Sequence, residues 1–140
     1  MTPRDTRTGH VLERMILPSL QQGGYACETQ KTVGNRIGGG RHKVDAIATK
    51  AGRNLLVSLK WQQVGGTAEQ KVPFEVICLM KAVRDSSGTY EKAYLVLGGR
   101  GWKLRDAFVK GELKRYIPYQ GLVEIVALED FVALANGGKL

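Results

Sequence analysis

The sequence predicts an α/β fold with a mixed central sheet flanked by helices. Apolar stretches with the pattern of strands occur at residues 25–32, 43–49, 54–62, 92–98 and 123–127. Apolar residues at helical spacing flank or separate many of these strands, at residues 9–22, 74–83, 102–116 and 128–135. Strands that alternate with helices along a chain are typical of an α/β architecture.

Length and composition predict one globular domain over residues 1–140. A chain of 140 residues with 43% hydrophobic residues can bury a sizeable core. No apolar run approaches the ~20 residues that a membrane helix requires. The N-terminus also lacks the apolar region of a secretory signal, so we expect a cytoplasmic protein without a membrane partner.

The charge balance indicates a polyanionic partner. The chain carries 21 Lys and Arg residues against 13 Asp and Glu residues, for a net charge of +8. Each phosphate that a basic side chain neutralises releases condensed counterions, which favours binding to nucleic acid.

The first predicted helix, residues 9–22, contains an internal proline. Pro18 predicts a kink or an early end, because proline lacks the backbone N–H and clashes with the preceding turn. Gly23 and Gly24 then end the helix. The next three predicted elements are strands, and the last two of them are joined by a turn short enough for an antiparallel hairpin.

Two glycine-bearing polar loops are candidate nucleic-acid contacts. Residues 34–42 contain four glycines and several basic side chains, and residues 63–71 contain Gly65 and Gly66. A backbone without side chains allows close approach, and nearby cations can then reach phosphates or base edges. The predicted DNA-binding residues are Arg36, Arg41, His42, Lys43 and Lys71.

Charged residues interrupt two apolar strands that we expect to be neighbours. Asp45 lies within the strand of residues 43–49, and Ser58-Leu59-Lys60 lies near the end of the next strand. Unpaired charges in buried strands cost several kcal/mol, so the pair indicates a site. A carboxylate at a divalent metal with a nearby lysine suits phosphodiester hydrolysis. Asp45 and the Leu59 carbonyl are the candidate metal ligands, since Mg²⁺ prefers oxygen ligands.

The predicted element order and these residues together resemble the PD-(D/E)XK nuclease superfamily. Its restriction endonuclease-like fold has an α-β-β-β-α-β core, which residues 9–100 of this chain would match. The resemblance assigns Asp45 as the first acid and Ser58-Leu59-Lys60 as the (D/E)-X-K triplet. It also assigns Gln62 to a polar position that often follows that triplet.

Ser58 departs from the family pattern because it replaces the second acidic residue. Some restriction enzymes carry the same Ser-x-Lys variant and recruit a glutamate from the following helix. Glu75 is at a suitable distance in sequence, and Glu69 is the alternative, although Glu69 could instead cap the helix. Glu13 would correspond to the first-helix glutamate of many members. We favour Glu75 over Glu69 and leave Glu13 open.

The resemblance implies a metal-dependent DNA endonuclease that uses Mg²⁺, with Mn²⁺ as a substitute. Asp45 and Lys60 would be catalytic, with Ser58 and Gln62 tuning the site. The Ser-x-Lys variant favours site-specific cleavage of double-stranded DNA, of restriction or homing type, by a homodimer or higher homo-oligomer. The alternatives are a Holliday junction resolvase acting on branched DNA and a catalytically degraded DNA-binding module.

Overall fold

The computed structural model describes residues 6–140 and contains a five-stranded sheet in the order β1-β2-β3-β4-β5. Neighbouring strands in the sheet are therefore also consecutive in the sequence. The strands are β1 (Ala26–Asn35), β2 (Arg41–Lys50), β3 (Arg53–Trp61), β4 (Lys92–Gly98) and β5 (Val123–Ala127).

Helices cover both faces of the sheet. They are α1 (Thr6–Val11), a π-helical segment (Leu12–Ile16), α2 (Leu17–Gln22), α3 (Ala68–Asp85), α4 (Arg105–Lys110), a 3-10 turn (Glu112–Arg115) and α5 (Leu128–Asn136). One core contains buried residues of the N-terminal helix and α5, and the other contains those of α3 and α4. The predicted α/β class with a mixed, helix-flanked sheet is therefore confirmed.

The strand directions bring the ends of several strands together at one end of the sheet. β1, β2 and β3 pair antiparallel, whereas β3, β4 and β5 pair parallel. Lys60 on β3 lies opposite Leu97 on β4. The start of β2, the end of β3 and the end of β4 therefore share one end of the sheet, which we call the Lys60 end.

The N-terminal helix runs through its proline instead of ending there. The Leu17 N–H donates to the carbonyl of Leu12, five residues earlier, as in a π-helix. Pro18 then falls in the first turn of α2, where a missing N–H costs little. The wider π turn thus precedes the proline, and the helix continues past it to Gln22 instead of ending early.

Two predictions about local structure were wrong. The predicted loop at residues 34–42 is too long at both ends, because β1 and β2 form a long hairpin whose connection spans only residues 36–40. The predicted basic helix at residues 102–116 is divided into α4 and a 3-10 turn. Gly111 lies between them with φ of 90°, a left-handed conformation that commonly ends helices.

The apolar face of α3 was only partly predicted. Phe74, which the helical pattern placed in the core, is 45% exposed. Val72, Val76 and Leu79 are fully buried instead, together with the acidic residue Glu75, which is only 2% exposed. Cys78, Met80 and Val83 are buried as the helical pattern predicts. The buried face is therefore broader than predicted, and it presents a carboxylate to the sheet.

Within residues 6–140, no helix is both long and apolar enough to span a membrane.

Candidate active site

Asp45 lies where β2 and β3 separate. The backbone pairing of the two strands ends at Ala46 and Val57. One residue before Ala46 on β2, the Oδ2 atom of Asp45 accepts a hydrogen bond of 2.7 Å from the Leu59 N–H. A side-chain carboxylate thus takes the place of a strand partner, and it is anchored next to Lys60.

The β1–β2 ribbon is kinked at Asp45. Ala46 and Ala48 belong to the core under the N-terminal helix, yet Val44 belongs to the opposite core, which a strict two-residue alternation does not allow. The pairing of the ribbon skips Gln30 and Asp45, and Gln30 has a positive φ of 53°. The kink turns the first residues of β2 toward α3.

Lys60 and a buried glutamate form the centre of the site. Glu75 projects from α3, and its Oε2 atom lies 3.9 Å from Nζ of Lys60. The Lys60 side chain is 27% exposed, whereas Glu75 is almost completely covered. Ser58, two residues before Lys60 and therefore on the same face of β3, is also buried. Substrate can reach the lysine from solvent, while the carboxylate is held inside.

Glu75 also has two partners from the β1–β2 hairpin. His42 Nε2 donates to Oε1 at 2.7 Å, and the Arg36 guanidinium donates to Oε2 at 3.2 Å. His42 is fully buried, and its Nδ1 atom has no partner among the residues that the structure describes. Arg36 lies in the hairpin connection as predicted, but His42 lies on β2, and the glycine pattern of residues 34–42 does not predict their contact with Glu75.

Burial and neighbouring charges move the two carboxyl pKa values in opposite directions. Burial raises the pKa of Asp45 above its ordinary value, with hydrogen bonding from Leu59 and the charge of Lys60 opposing that shift. Burial also acts to raise the pKa of Glu75, but the His42 hydrogen bond and the Lys60 and Arg36 charges outweigh it and lower the pKa. Glu75 is therefore a stabilised anion, and Asp45 a destabilised one.

The other acidic candidates lie in different surroundings. Glu69, in the first turn of α3, accepts hydrogen bonds from the backbone N–H groups of Lys103 and Leu104. Glu13 lies in the π-helical segment with an exposed side chain. Asp45 and Glu75 are the two carboxylates that interact electrostatically with each other at Lys60.

Gln62 holds two segments of backbone. Its Nε2 donates to the carbonyl of Gly101 at 2.7 Å, and its Oε1 accepts from the Ala68 N–H at 3.0 Å, at the start of α3. Both ends of the buried amide are therefore used in structure. This geometry supports a positioning role for Gln62 behind Lys60.

The predicted DNA-binding residues separate into two groups. Arg41 and Lys43 at the start of β2 and Lys71 on α3 are exposed, whereas Arg36 is half-buried against Glu75. Full burial prevents His42 from contacting a phosphate, so the loop-based prediction does not fit the position of this residue. His42 instead positions Glu75.

A comparison with protein families identifies the superfamily of the chain. A family model described as a PD-(D/E)XK nuclease superfamily domain matches residues 4–139. The chain belongs to the PD-(D/E)XK nuclease superfamily. Among solved structures, this PD-(D/E)XK domain is similar to AF1548, a protein of unknown function. The TM-score is 0.52 with 14% sequence identity, covering 86% of this chain and 56% of that protein. No curated protein matches the sequence.

Two carboxylates fit the metal requirement of a PD-(D/E)XK nuclease. Residues 6–140 contain no group of three or more His, Cys, Asp or Glu side chains arranged for a metal. Mg²⁺ nevertheless commonly takes one or two carboxylates, with water and phosphate oxygens completing its shell. Asp45 and Glu75 supply that minimal set beside Lys60, so the donor chemistry is suitable.

Proposed function

We propose that this superfamily member is a metal-dependent DNA endonuclease that hydrolyses phosphodiester bonds, with residues 1–140 as one nuclease domain. The observation that carries the proposal is the buried Glu75 carboxylate, 3.9 Å from the partly exposed Lys60 ammonium. Glu75 would replace the second acid of the family motif, because Ser58 occupies the position of that acid. The second carboxylate thus comes from α3 rather than from β3.

Asp45 and Glu75 would hold the divalent cation, Mg²⁺ or Mn²⁺, with the Leu59 carbonyl as a further oxygen donor. When bound there, the cation supplies Lewis-acid stabilisation of the phosphate and lowers the pKa of an attacking water. Asp45 is aimed by the Leu59 N–H, and Glu75 by His42. The two ligands are therefore positioned in advance by hydrogen bonds from the chain itself.

Lys60 would contact the scissile phosphate and orient the attacking water. Its ammonium would neutralise negative charge that develops on the phosphate oxygens in the transition state. Such electrostatic stabilisation is usually the largest single contribution to catalysis. Water adds to phosphorus and the bond to the 3′ oxygen breaks, giving a 5′-phosphate and a 3′-hydroxyl. Ser58 and Gln62 shape the strand end that presents the lysine.

We propose double-stranded DNA as the substrate and site-specific cleavage, of restriction or homing type, as the activity. Arg41 and Lys43 are exposed at the Lys60 end of the sheet, where they can reach the backbone of a bound duplex. Resolution of branched DNA and binding without cleavage are the competing outcomes of the assay below.

Cleavage assays with matched variants test this proposal. Supercoiled and branched DNA are incubated with Mg²⁺ or Mn²⁺ and with wild type, Asp45→Asn, Lys60→Ala or Glu75→Gln. We expect nicking or cutting of the supercoiled DNA by wild type and a loss of at least ~100-fold in each variant. Asp85→Asn, at the exposed end of α3, is the control and should retain wild-type activity.

Three results would contradict parts of the proposal. Equal cleavage by wild type and all three variants would show that Asp45, Lys60 and Glu75 do not form the active site. Binding of DNA without cleavage under either metal would identify an inactive binding module. Loss of activity in Glu13→Gln with full activity in Glu75→Gln would transfer the metal-ligand role to Glu13.

A further inference from the structure

A second basic surface lies beside the proposed active site. It is formed by residues 99–104, which connect β4 to α4, and by Arg105, the first residue of α4; we call this segment the 99–105 loop. A cleft of about 340 Å³ opens there. Its lining residues are Gly99, Arg100, Trp102, Lys103, Arg105 and Asp106.

The 99–105 loop is built onto the strand that carries Lys60. The Gln62 N–H donates to the Gly98 carbonyl, and the Gly101 N–H donates to the Gln62 carbonyl, at 3.0 and 2.8 Å. The Gln62 side chain adds a third bond, to the Gly101 carbonyl. The loop backbone is therefore fixed two residues beyond Lys60.

Glycines make this close contact possible. A Cβ atom at Gly99 would lie 2.3 Å from the Gln62 carbonyl oxygen, and one at Gly101 would lie 2.5 Å from that of Val64. Both distances are far inside van der Waals contact. The Gly98-Gly99-Arg100-Gly101 motif thus serves to seat the loop on the segment that follows β3, with Arg100 left exposed.

The helix that carries Glu75 holds the same loop from its other end. Glu69 accepts hydrogen bonds from the Lys103 and Leu104 backbone N–H groups, and it lies six residues before Glu75 on α3. The Trp102 indole N–H donates to the Gly98 carbonyl at 2.7 Å. The loop is consequently fixed to both elements of the proposed catalytic site.

The charges on this surface are mostly positive and available to a ligand. Arg100 and Lys103 are exposed, and neither forms an ion pair among the residues that the structure describes. Arg105 makes only a long contact of 3.4 Å with the exposed Glu129. Asp106 is the one acidic residue of the cleft lining. An ordered basic surface of this kind suits a phosphate backbone.

The position of the loop relative to the hairpin defines a path for DNA. The hairpin cations Arg41 and Lys43 belong to the β1–β2 side of the sheet, and the 99–105 loop belongs to the β4 side. Both lie at the Lys60 end, with β3 between them. A duplex whose scissile phosphate contacts Lys60 therefore extends toward cations on either side.

We infer that the 99–105 loop is a second DNA-backbone contact, in which Arg100 and Lys103 bind phosphates of the same duplex on the side of Lys60 opposite the hairpin. This inference rests on the proposed function, because it takes DNA as the substrate. It assigns a role to a glycine motif that has neither a nucleotide-binding spacing nor a place in the catalytic chemistry.

Salt-dependent binding tests the inference. Affinity for a short duplex is measured by fluorescence anisotropy at several salt concentrations, with EDTA present so that no cleavage occurs. Arg100→Ala and Lys103→Ala should each reduce the slope of log K against log [salt] by about one unit, as expected for loss of one phosphate contact. Lys139→Ala is the control, because this exposed cation lies near Lys50 at the opposite end of the sheet.

The outcomes separate the inference from the proposed function. Wild-type binding with reduced slopes in the two loop variants and an unchanged slope in Lys139→Ala supports the loop contact. Wild-type binding with the same slope in all variants overturns the loop contact and leaves the nuclease proposal standing. Absence of any wild-type binding to DNA overturns both.

Discussion

Glu75 is the residue in which fold stability and proposed catalysis meet. A carboxylate that is only 2% exposed survives in this core because His42, Arg36 and Lys60 surround it. Removing one partner of a buried ionic cluster leaves an uncompensated charge, which is more costly than never burying the cluster. The same three side chains contact both carboxylate oxygens of Glu75. These contacts therefore hold the site together in the absence of a metal.

The opposite pKa shifts predict opposite effects of neutral substitutions. The pKa of Glu75 is lowered from 4.5, so its ionised form stabilises the fold above pH 4.5, and this stabilisation is lost as pH falls through the lower folded-state pKa. The pKa of Asp45 is raised from 3.8, so its stabilising contribution is present below pH 3.8 and is lost as pH rises through the folded-state pKa.

Chemical denaturation at neutral pH should therefore give different signs for the two variants. We expect Glu75→Gln to lower the free energy of unfolding by roughly 2 kcal/mol, because hydrogen bonds to a charged group are weakened. Asp45→Asn should raise it, since the amide keeps an acceptor for the Leu59 N–H without a buried charge. The deficit of Glu75→Gln should shrink as pH falls below 4.5. A stabilising Glu75→Gln or a destabilising Asp45→Asn would contradict this assignment of charge.

At the scale of elements, the residues of the proposed site come from three different elements, which packing brings together. The kinked β1–β2 hairpin supplies His42 and Arg36, β3 supplies Lys60, and α3 supplies Glu75. The loop after β4 is bonded to the segment after β3 through Gln62, and to α3 through Glu69. Changes in a connection can therefore disturb the site without touching a catalytic side chain.

Alanine variants of Gly99 and Gly38, which have nearly the same backbone conformation, distinguish the cost of a steric clash from the cost of backbone strain. Gly99 and Gly38 have φ of 95° and 97°, but an added Cβ meets the Gln62 carbonyl oxygen at Gly99 and nothing within 4 Å at Gly38. Both alanine variants carry a left-handed cost of about 1–2 kcal/mol. Gly99→Ala should cost about 1–3 kcal/mol more from the clash.

Thermal and chemical denaturation of both variants measure that difference. Gly38→Ala serves as the control for backbone conformation, since the Cβ at this hairpin position points into open space. Equal losses of stability in the two variants would show that the contact between the 99–105 loop and Gln62 is loose.

The sequence predicted much of the fold, and it singled out two residues of the proposed site. β4 and β5 were predicted with the bounds that the structure gives, because each is a short apolar run with clear ends. Asp45 and Lys60 were recognisable as charges in apolar strands. His42 was not, because glycines around it indicated a loop and no local pattern predicts a kink at Gln30. Its contact with Glu75 joins residues 33 positions apart and depends on tertiary packing.

At the scale of the whole molecule, one chain contains one Asp45–Lys60–Glu75 site, so cutting both strands of a duplex requires two chains or two binding events. The net charge of +8 favours DNA and disfavours association between free chains. We propose that the active form is a homodimer or higher homo-oligomer assembled on DNA, where phosphates offset the repulsion between basic subunits.

A subunit-mixing experiment tests this proposal. A fixed amount of wild type cleaves supercoiled DNA in the presence of increasing Asp45→Asn, which is expected to bind DNA but not to cut it. Mixed dimers should cut one strand only, so the products should change from linear molecules to nicked circles. An unrelated basic protein of similar size is the control and should leave that ratio unchanged. A constant ratio with Asp45→Asn would indicate independently acting monomers.

The backbone N–H of Leu59, where β2 separates from β3, can report the state of Asp45 in an NMR spectrum. Because the Leu59 N–H is bonded to a carboxylate instead of a strand carbonyl, its amide resonance in an NMR spectrum responds directly to the charge of that carboxylate. Protonation of Asp45 or capture of a cation draws electron density from Oδ2 and shifts this one signal. The amide of Leu55, inside the regular ladder, serves as a nearby reference. Occupancy of the proposed metal site can thus be followed from the backbone, without DNA and without turnover.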